Sequence, residues 1–157
     1  MLATFRVLTE ADLSALFEIQ REPVGQYMAA FTDPKTSDDR EAYLAKWRRL
    51  LTDEAVFTLV VVVGNEVAGS VGCFEMDGQK EVTYWIRKEL WGRGVATEAL
   101  AGLLRSVPDR PLFGRVAADN LASARVLERN GFRRAGAETS FAAARGAEIR
   151  ELIYRLD

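Results

Sequence analysis

The hydrophobic positions of this chain change period several times, and each change marks an element. Phe5 to Leu8 reads as a short strand. Leu13, Leu16 and Phe17 then recur at helical spacing behind a capping-box-like pair, Thr9 and Asp12. Residues 22–35 contain Pro23, Gly25 and Pro34 and read mainly as a loop. A second helix, capped near Thr36 or Ser37, puts Tyr43, Leu44, Trp47, Leu50 and Leu51 on one face. From Val56 to Val63 nearly every position is apolar and β-branched, as in a central strand covered on both faces. Gly64-Asn65 and Asp77-Gly78 are turn signals. The strands they join, ending with Val67 to Met76 and Glu81 to Ile86, form an antiparallel meander.

The helical period returns from about Arg93 to Ser106, with Val95, Ala99, Leu100, Leu103 and Leu104 inward and Pro108 and Pro111 beyond the end. Leu112 to Ala118 is a further strand, parallel to the one before the helix, and such a crossover is right-handed. Asn120 caps a helix running to about Asn130, with Gly131 at the C-terminal stop. Phe132 onward and Glu148 to Leu156 supply the last two strands, and the Gly- and Ala-rich residues 136–147 read as the loop between them. No repeat, linker or low-complexity segment interrupts the pattern. A chain of 157 residues with 48% hydrophobic content reads as a single domain over 1–157. At that size it buries about 70% of its unfolded surface.

One segment carries more than packing information. Trp91-Gly92-Arg93-Gly94-Val95-Ala96-Thr97-Glu98-Ala99-Leu100 follows a strand and opens a helix. Two glycines there let the backbone approach another group closely, because no Cβ intervenes. The first N–H groups of the helix lack intrahelical partners, and they sit at the positive end of the helix dipole. A phosphate or pyrophosphate fits such a turn; a plain helix start has the same sequence pattern. It is not a dinucleotide fingerprint, since Thr97 stands where a third glycine belongs. It is not a Walker loop, since no Gly-Lys-Ser or Gly-Lys-Thr follows.

Composition narrows the chemistry. The chain has no histidine and one cysteine, Cys73. That removes Ser-His-Asp and Cys-His catalysis, most zinc sites and any internal disulfide. A general base must be a carboxylate, tyrosine, lysine or water. The net charge of -2 is spread along the chain, and no basic block points to nucleic acid; Arg48-Arg49 and Arg133-Arg134 read as solvated faces. The longest apolar run is far too short to span a bilayer, and the N-terminus has no signal-peptide pattern. The expectation is a soluble, cytoplasmic protein without a membrane partner.

A second segment, Asn120-Leu121-Ala122-Ser123-Ala124-Arg125-Val126-Leu127-Glu128-Arg129-Asn130-Gly131-Phe132, is by itself a capped helix ending at glycine. Tyr84-Trp85, the Trp-Gly-x-Gly-x-Ala-Thr-Glu-Ala run and Asn-x-x-Ser with Leu-Glu-x-x-Gly-Phe, taken together, resemble the GNAT superfamily of acetyl-CoA-dependent N-acetyltransferases. Within it they resemble the branch of the ribosomal-protein N-terminal (alanine) acetyltransferases. The order of elements agrees over nearly the whole chain. The resemblance implies an α/β (α+β) fold with a mixed, mostly antiparallel central sheet. About four helices flank that sheet, and its central strands splay apart.

The resemblance also implies roles. The family's loop, Gln/Arg-x-x-Gly-x-Gly/Ala, falls on Trp91 to Ala96; Gly94 and Ala96 match and Trp91 departs. Trp91, Gly92, Arg93, Gly94, Val95, Ala96 and Thr97 would then cradle the cofactor's pyrophosphate. Trp85, Ile86 and Arg87 would bond the pantetheine arm through their backbone like an added strand, with Asn120 and Ser123 against it. An amine would attack the thioester carbonyl directly, without a covalent enzyme intermediate. Glu81 stands where several family members carry the base, or it is a solvated residue after a turn. A backbone N–H near Ile86 would hold the oxyanion.

Many members place an acid Tyr seven residues after the Asn, where this chain has Leu127. Ser123 would instead hydrogen-bond the departing thiolate, or serve only as a second helix-cap hydroxyl. Tyr84 and Tyr154 are alternative acids or packed side chains. Tyr27 and Phe31, in segment 22–35, line the acceptor site or tuck into the core. The acceptor is a protein N-terminus or a small-molecule amine, and a homodimer is a family-level expectation. The competing readings are a non-catalytic acyl-CoA-binding or sensor module, kept open by Leu127, and a dimeric structural protein that retains only the fold.

Overall fold

The computed structural model describes residues 3–157. Seven strands, β1 (Ala3–Val7), β2 (Phe57–Val63), β3 (Glu66–Met76), β4 (Gln79–Ile86), β5 (Leu112–Ala117), β6 (Arg133–Ala142) and β7 (Ala147–Leu156), form one sheet. Its order is β1-β2-β3-β4-β5-β7-β6. Every neighbouring pair is antiparallel except β4 and β5, which run parallel and share a single register pair, Glu81↔Phe113. The β3–β4 ladder, by contrast, is continuous from Met76↔Gln79 to Gly69↔Ile86. Beyond Glu81 and Phe113 the two central strands part toward their C-terminal ends, the splay implied by the resemblance.

Six α-helices cover the sheet among the described residues: α1 (Leu13–Gln20), α2 (Pro23–Ala29), α3 (Pro34–Ser37), α4 (Arg40–Leu50), α5 (Val95–Ser106) and α6 (Leu121–Arg129). On one face, Leu100 and Leu103 of α5 and Leu127 of α6 pack with Val61, Val71, Val82, Ile86, Leu112 and Val116 in the main core. Fully burying a Leu contributes roughly 1.5–3 kcal/mol, so this face dominates the packing energy. On the other face, α1 and α4 meet Leu8, Val60, Val62 and Val67 through Leu13, Leu16, Tyr43, Leu44 and Trp47. None of these helices is long and apolar enough to cross a membrane.

The structure corrects four expectations. Segment 22–35 is not mainly loop: Pro23 and Pro34 sit in the first turns of α2 and α3, and Glu22 and Asp33 cap them by accepting from Gly25 N and Lys35 N. Pro is tolerated in a first turn because its missing N–H would be unpaired there anyway. Gly25 permits close packing rather than breaking the helix, since a Cβ there would lie 3.1 Å from Cζ2 of Trp85. The long helix begins later than Thr36 or Ser37 implies: Asp39 caps α4 by accepting from Ala42 N. Residues 136–147 are not loop either, since β6 and β7 pair from Arg133↔Arg155 to Ala142↔Ala147. β6 is an edge strand exposed along most of its length, so its small and polar residues carry no alternating apolar signal. The helices number six rather than about four because α2 and α3 form where a loop was expected.

Candidate active site

Two helices start at the open end of the β4–β5 gap, because α5 follows β4 and α6 follows β5. Crevices beyond the carboxyl ends of diverging parallel strands are where α/β sheets bind ligands. The two N-termini differ in chemistry. At α5, Gly92 and Gly94 adopt φ of 75° and 78°, and no heavy atom lies within 4 Å of where a Cβ would be. No side chain among the described residues caps this end, and the first intrahelical bond is from Glu98 N to Gly94 O. The N–H groups of Val95, Ala96 and Thr97 thus precede the helical ladder, and the turn leaves room for an anion. At α6, Asn120 Oδ1 accepts from Ser123 N at 3.3 Å. Its amide also reaches Met28 O at 3.4 Å, tying α6 to the end of α2.

The backbone facing the gap is narrower than the expected Trp85-Ile86-Arg87 set. Arg87 N donates to Ala68 O, on the β3 side. Alternation along the ladder turns Trp85 toward β3 as well and sends the main-chain groups of Tyr84 and Ile86 into the gap. Ile86 O accepts from Nε1 of Trp91 at 2.8 Å. Ile86 N–H is therefore the group of that trio left to meet a ligand. Trp91, which departs from the family pattern, staples the turn to the end of β4.

Opposite α5 and α6, the same stretch presents charge. Val82, Tyr84 and Ile86 face the main core, so Glu81, Thr83 and Trp85 face the other side. Glu81 is only 2% exposed, which corrects the alternative of a solvated residue after a turn. Nε of Arg115 is 3.3 Å from Oε2 of Glu81, and Nη1 donates to Glu151 Oε1 at 3.2 Å and to Glu138. One guanidinium thus serves three carboxylates across β4, β5, β7 and β6. Burial pushes the Glu81 carboxyl up from its ordinary value, and the Arg115 charge pulls it partly back. Burial raises Glu151 in the same way. A buried carboxylate with a raised pKa is a stronger base than a solvated one.

Residue numbers alone gave no sign of this cluster, because its members meet only through sheet register. Arg115, a charged residue inside the apolar run Leu112 to Ala117, is the one local signal that could have drawn attention. The register likewise brings Tyr84 of β4 to Ser123 of α6, with Oη 2.7 Å from Oγ. Of the predicted acceptor residues, Tyr27 is 52% exposed, with the Arg145 guanidinium 4.3 Å over its ring. Phe31 packs beside Ala30, Ala117 and Ala142. Both lie near the C-terminal end of β5, but they share no contact with Glu81 that would make them one cluster. Tyr154 is buried, and its hydroxyl is turned toward Glu128 of α6.

Known proteins resemble this chain in sequence and in fold. Residues 3–133 match the model of the acetyltransferase (GNAT) domain. The chain is 27% identical over 140 residues to the candidate ribosomal N-acetyltransferase YdaF of Bacillus subtilis, covering 82% of this chain and 76% of that one. The ribosomal-protein-alanine N-acetyltransferase of Brucella melitensis has the same fold, with a TM-score of 0.82 at 23% identity over 98% of each chain. So does the candidate acetyltransferase YncA of Salmonella typhimurium, solved with its cofactor acetyl-CoA. Its TM-score is 0.77 at 21% identity, over 100% of this chain and 94% of that one.

Proposed function

Because the acetyltransferase (GNAT) domain spans residues 3–133, the chain belongs to the GNAT acetyltransferase family, and we propose that it moves an acetyl group from acetyl-CoA directly to a primary amine. The observation that carries the reading is the coincidence of two features at one place. One is the uncapped, glycine-lined N-terminus of α5. The other is a β4–β5 gap that opens after a single pair. The first suits a pyrophosphate and the second admits an extended arm that ends between the strands.

In this proposal Gly92, Gly94 and the N–H groups of Val95, Ala96 and Thr97 hold the pyrophosphate. Ile86 N–H supplies the donor for the developing oxyanion. A small alkylammonium has a pKa near 10.4 and a protein N-terminus one of about 8, and either must lose a proton before it attacks. Glu81, buried and on the face away from the cofactor helices, takes that proton directly or through a water. The acceptor is a protein N-terminus or a small-molecule amine. The names of the Bacillus and Brucella relatives favour the protein N-terminus.

The alternative is a non-catalytic acyl-CoA-binding module. Leu127, fully buried where an acid Tyr would otherwise stand, is the observation that favours it. Calorimetric titration with acetyl-CoA, followed by turnover assays with N-terminal peptides and small amines, separates the readings. Binding with turnover supports the transferase. Binding without turnover across both acceptor classes supports the module. No binding by the folded protein removes both.

A further inference from the structure

Leu127 leaves the departing thiolate without the tyrosine that would come from α6, yet a tyrosine reaches the same helix from the sheet. Tyr84 Oη lies 2.7 Å from Ser123 Oγ and 3.0 Å from Ser123 O. With Ser123 at the leaving sulfur, as the resemblance implies, we propose that Tyr84 is a positioning residue that polarises the Ser123 hydroxyl, the two forming a hydrogen-bond relay to that sulfur. The inference rests on the acetyl-CoA reading above.

Two arrangements of the hydrogens are open to this pair. In one, Tyr84 donates to Ser123 O and Ser123 donates back to Tyr84 Oη. In the other, Tyr84 donates to Ser123 Oγ, which frees the serine hydrogen for a new acceptor. No heavy atom has to move between the two. A negative charge arriving in the gap favours the second, because hydrogen bonds to ionised acceptors are roughly twice as strong as neutral ones. The placement fits: Ser123 is in the first turn of α6, at the parting end of β5, and Tyr84 directs its main-chain groups into the same gap.

Magnitudes decide between donating a hydrogen bond and donating a proton. Burial pushes the Tyr84 phenol up to about 12, whereas a thiol of the cysteine kind ionises near 8.5. Complete transfer from Tyr84 to the thiolate is thus uphill. The pair therefore stabilises the thiolate without protonating it. The amine nitrogen bonds to the carbonyl carbon, the carbon–sulfur bond breaks, and its electron pair stays on sulfur. The sulfur takes its proton from solvent, and Glu81, after releasing to solvent the proton it took from the ammonium, takes the second proton of the nitrogen. The titratable neighbour of Tyr84 within the core is Tyr154 of β7, whose own hydroxyl faces Glu128 of α6.

The test needs no acceptor. CoA, the thiol product, is bound to the wild type, Tyr84→Phe, Ser123→Ala and the double variant, and the thiolate absorbance is titrated against pH with the protein alone subtracted. Tyr84→Phe keeps the buried ring, and Ser123→Ala keeps the backbone N–H that Asn120 caps, so both fold. The relay predicts a bound-thiol pKa in the wild type roughly one unit below that in Ser123→Ala. Tyr84→Phe lies between these two, and the double variant matches Ser123→Ala. Ser123→Thr restores the low value. Equal pKa values in all four proteins overturn the relay, and so does a Tyr84→Phe value equal to wild type. Failure of the folded wild type to bind CoA overturns the acetyltransferase reading itself, and the relay with it.

Discussion

The two faces of the β4–β5 gap are built on different principles. Toward α5 and α6 the site uses backbone N–H groups and hydroxyls, with no ionised side chain in the groups that define it. Toward the other face it uses Arg115 of β5 and three carboxylates gathered around it from β4, β6 and β7. The first arrangement suits an anion whose position must be fixed, because helix N–H groups are pre-oriented and carry no counter-charge. The second suits a group whose protonation must change, because burial and a neighbouring guanidinium tune a carboxylate. One gap can thus bind at one face and move a proton at the other without the two tasks interfering.

The largest expected effect divides the faces cleanly. Glu81→Gln should lower turnover by about 100- to 10,000-fold, the range for losing a general base. Acetyl-CoA affinity, measured by calorimetry, should stay near wild type. An unchanged rate would remove Glu81 from the mechanism. Gly94→Trp should do the reverse and weaken acetyl-CoA binding by roughly a hundredfold. Forcing a side chain into that left-handed position strains the turn by about 1–3 kcal/mol, and the bulk fills the space a phosphate would use. Wild-type binding by this variant would move the cofactor site elsewhere.

Arg115→Met sharpens the comparison through pH. Arg115 holds the Glu81 carboxyl below where burial alone, with Glu151 and Asp77 nearby, would put it. Its removal should raise that carboxyl further, so the acidic limb of the kcat/KM profile moves to higher pH. A limb that stays in place would show that it does not report Glu81.

Asn120→Ala should appear mainly in stability. Losing an N-cap costs about 1 kcal/mol, measurable as a lower denaturant midpoint. The smallest effect concerns Glu81 again. Its folded-state pKa is raised, so the fold favours the protonated form, and stability from that preference fades as pH rises through the folded value. Glu81→Gln should therefore raise Tm slightly at neutral pH. The gain should vanish below the unfolded carboxylate value, near 4.3.

The two faces also differ in how far the chain revealed them. The α5 turn and the α6 cap are contiguous stretches, so their glycines, Asn120 and Ser123 were visible as motifs. Segment 22–35 misled because Pro in a first helical turn and Pro in a loop look alike until the capping Glu22 and Asp33 are seen accepting. The 136–147 stretch misled because an edge strand wet on both faces has no apolar alternation to find. Arg115 with Glu138 and Glu151, and Tyr84 with Ser123, involve partners 23 to 39 residues apart. No periodicity in one segment reports such a distance.

What the sequence determined by itself is therefore the local part: the meander, the glycine turn after β4, the capped helix after β5, the absence of histidine chemistry and the membership these motifs imply. Those features follow from dihedral preference and hydrophobic period, which act over a few neighbouring residues. Tertiary structure alone decided that Glu81 is buried beside a single arginine shared with two other carboxylates, that Trp91 closes on Ile86, and that a tyrosine from the sheet meets Ser123. These depend on which strands pair and in what register. Register is fixed by the burial of both faces of the whole sheet, a property that belongs to no single stretch of the chain.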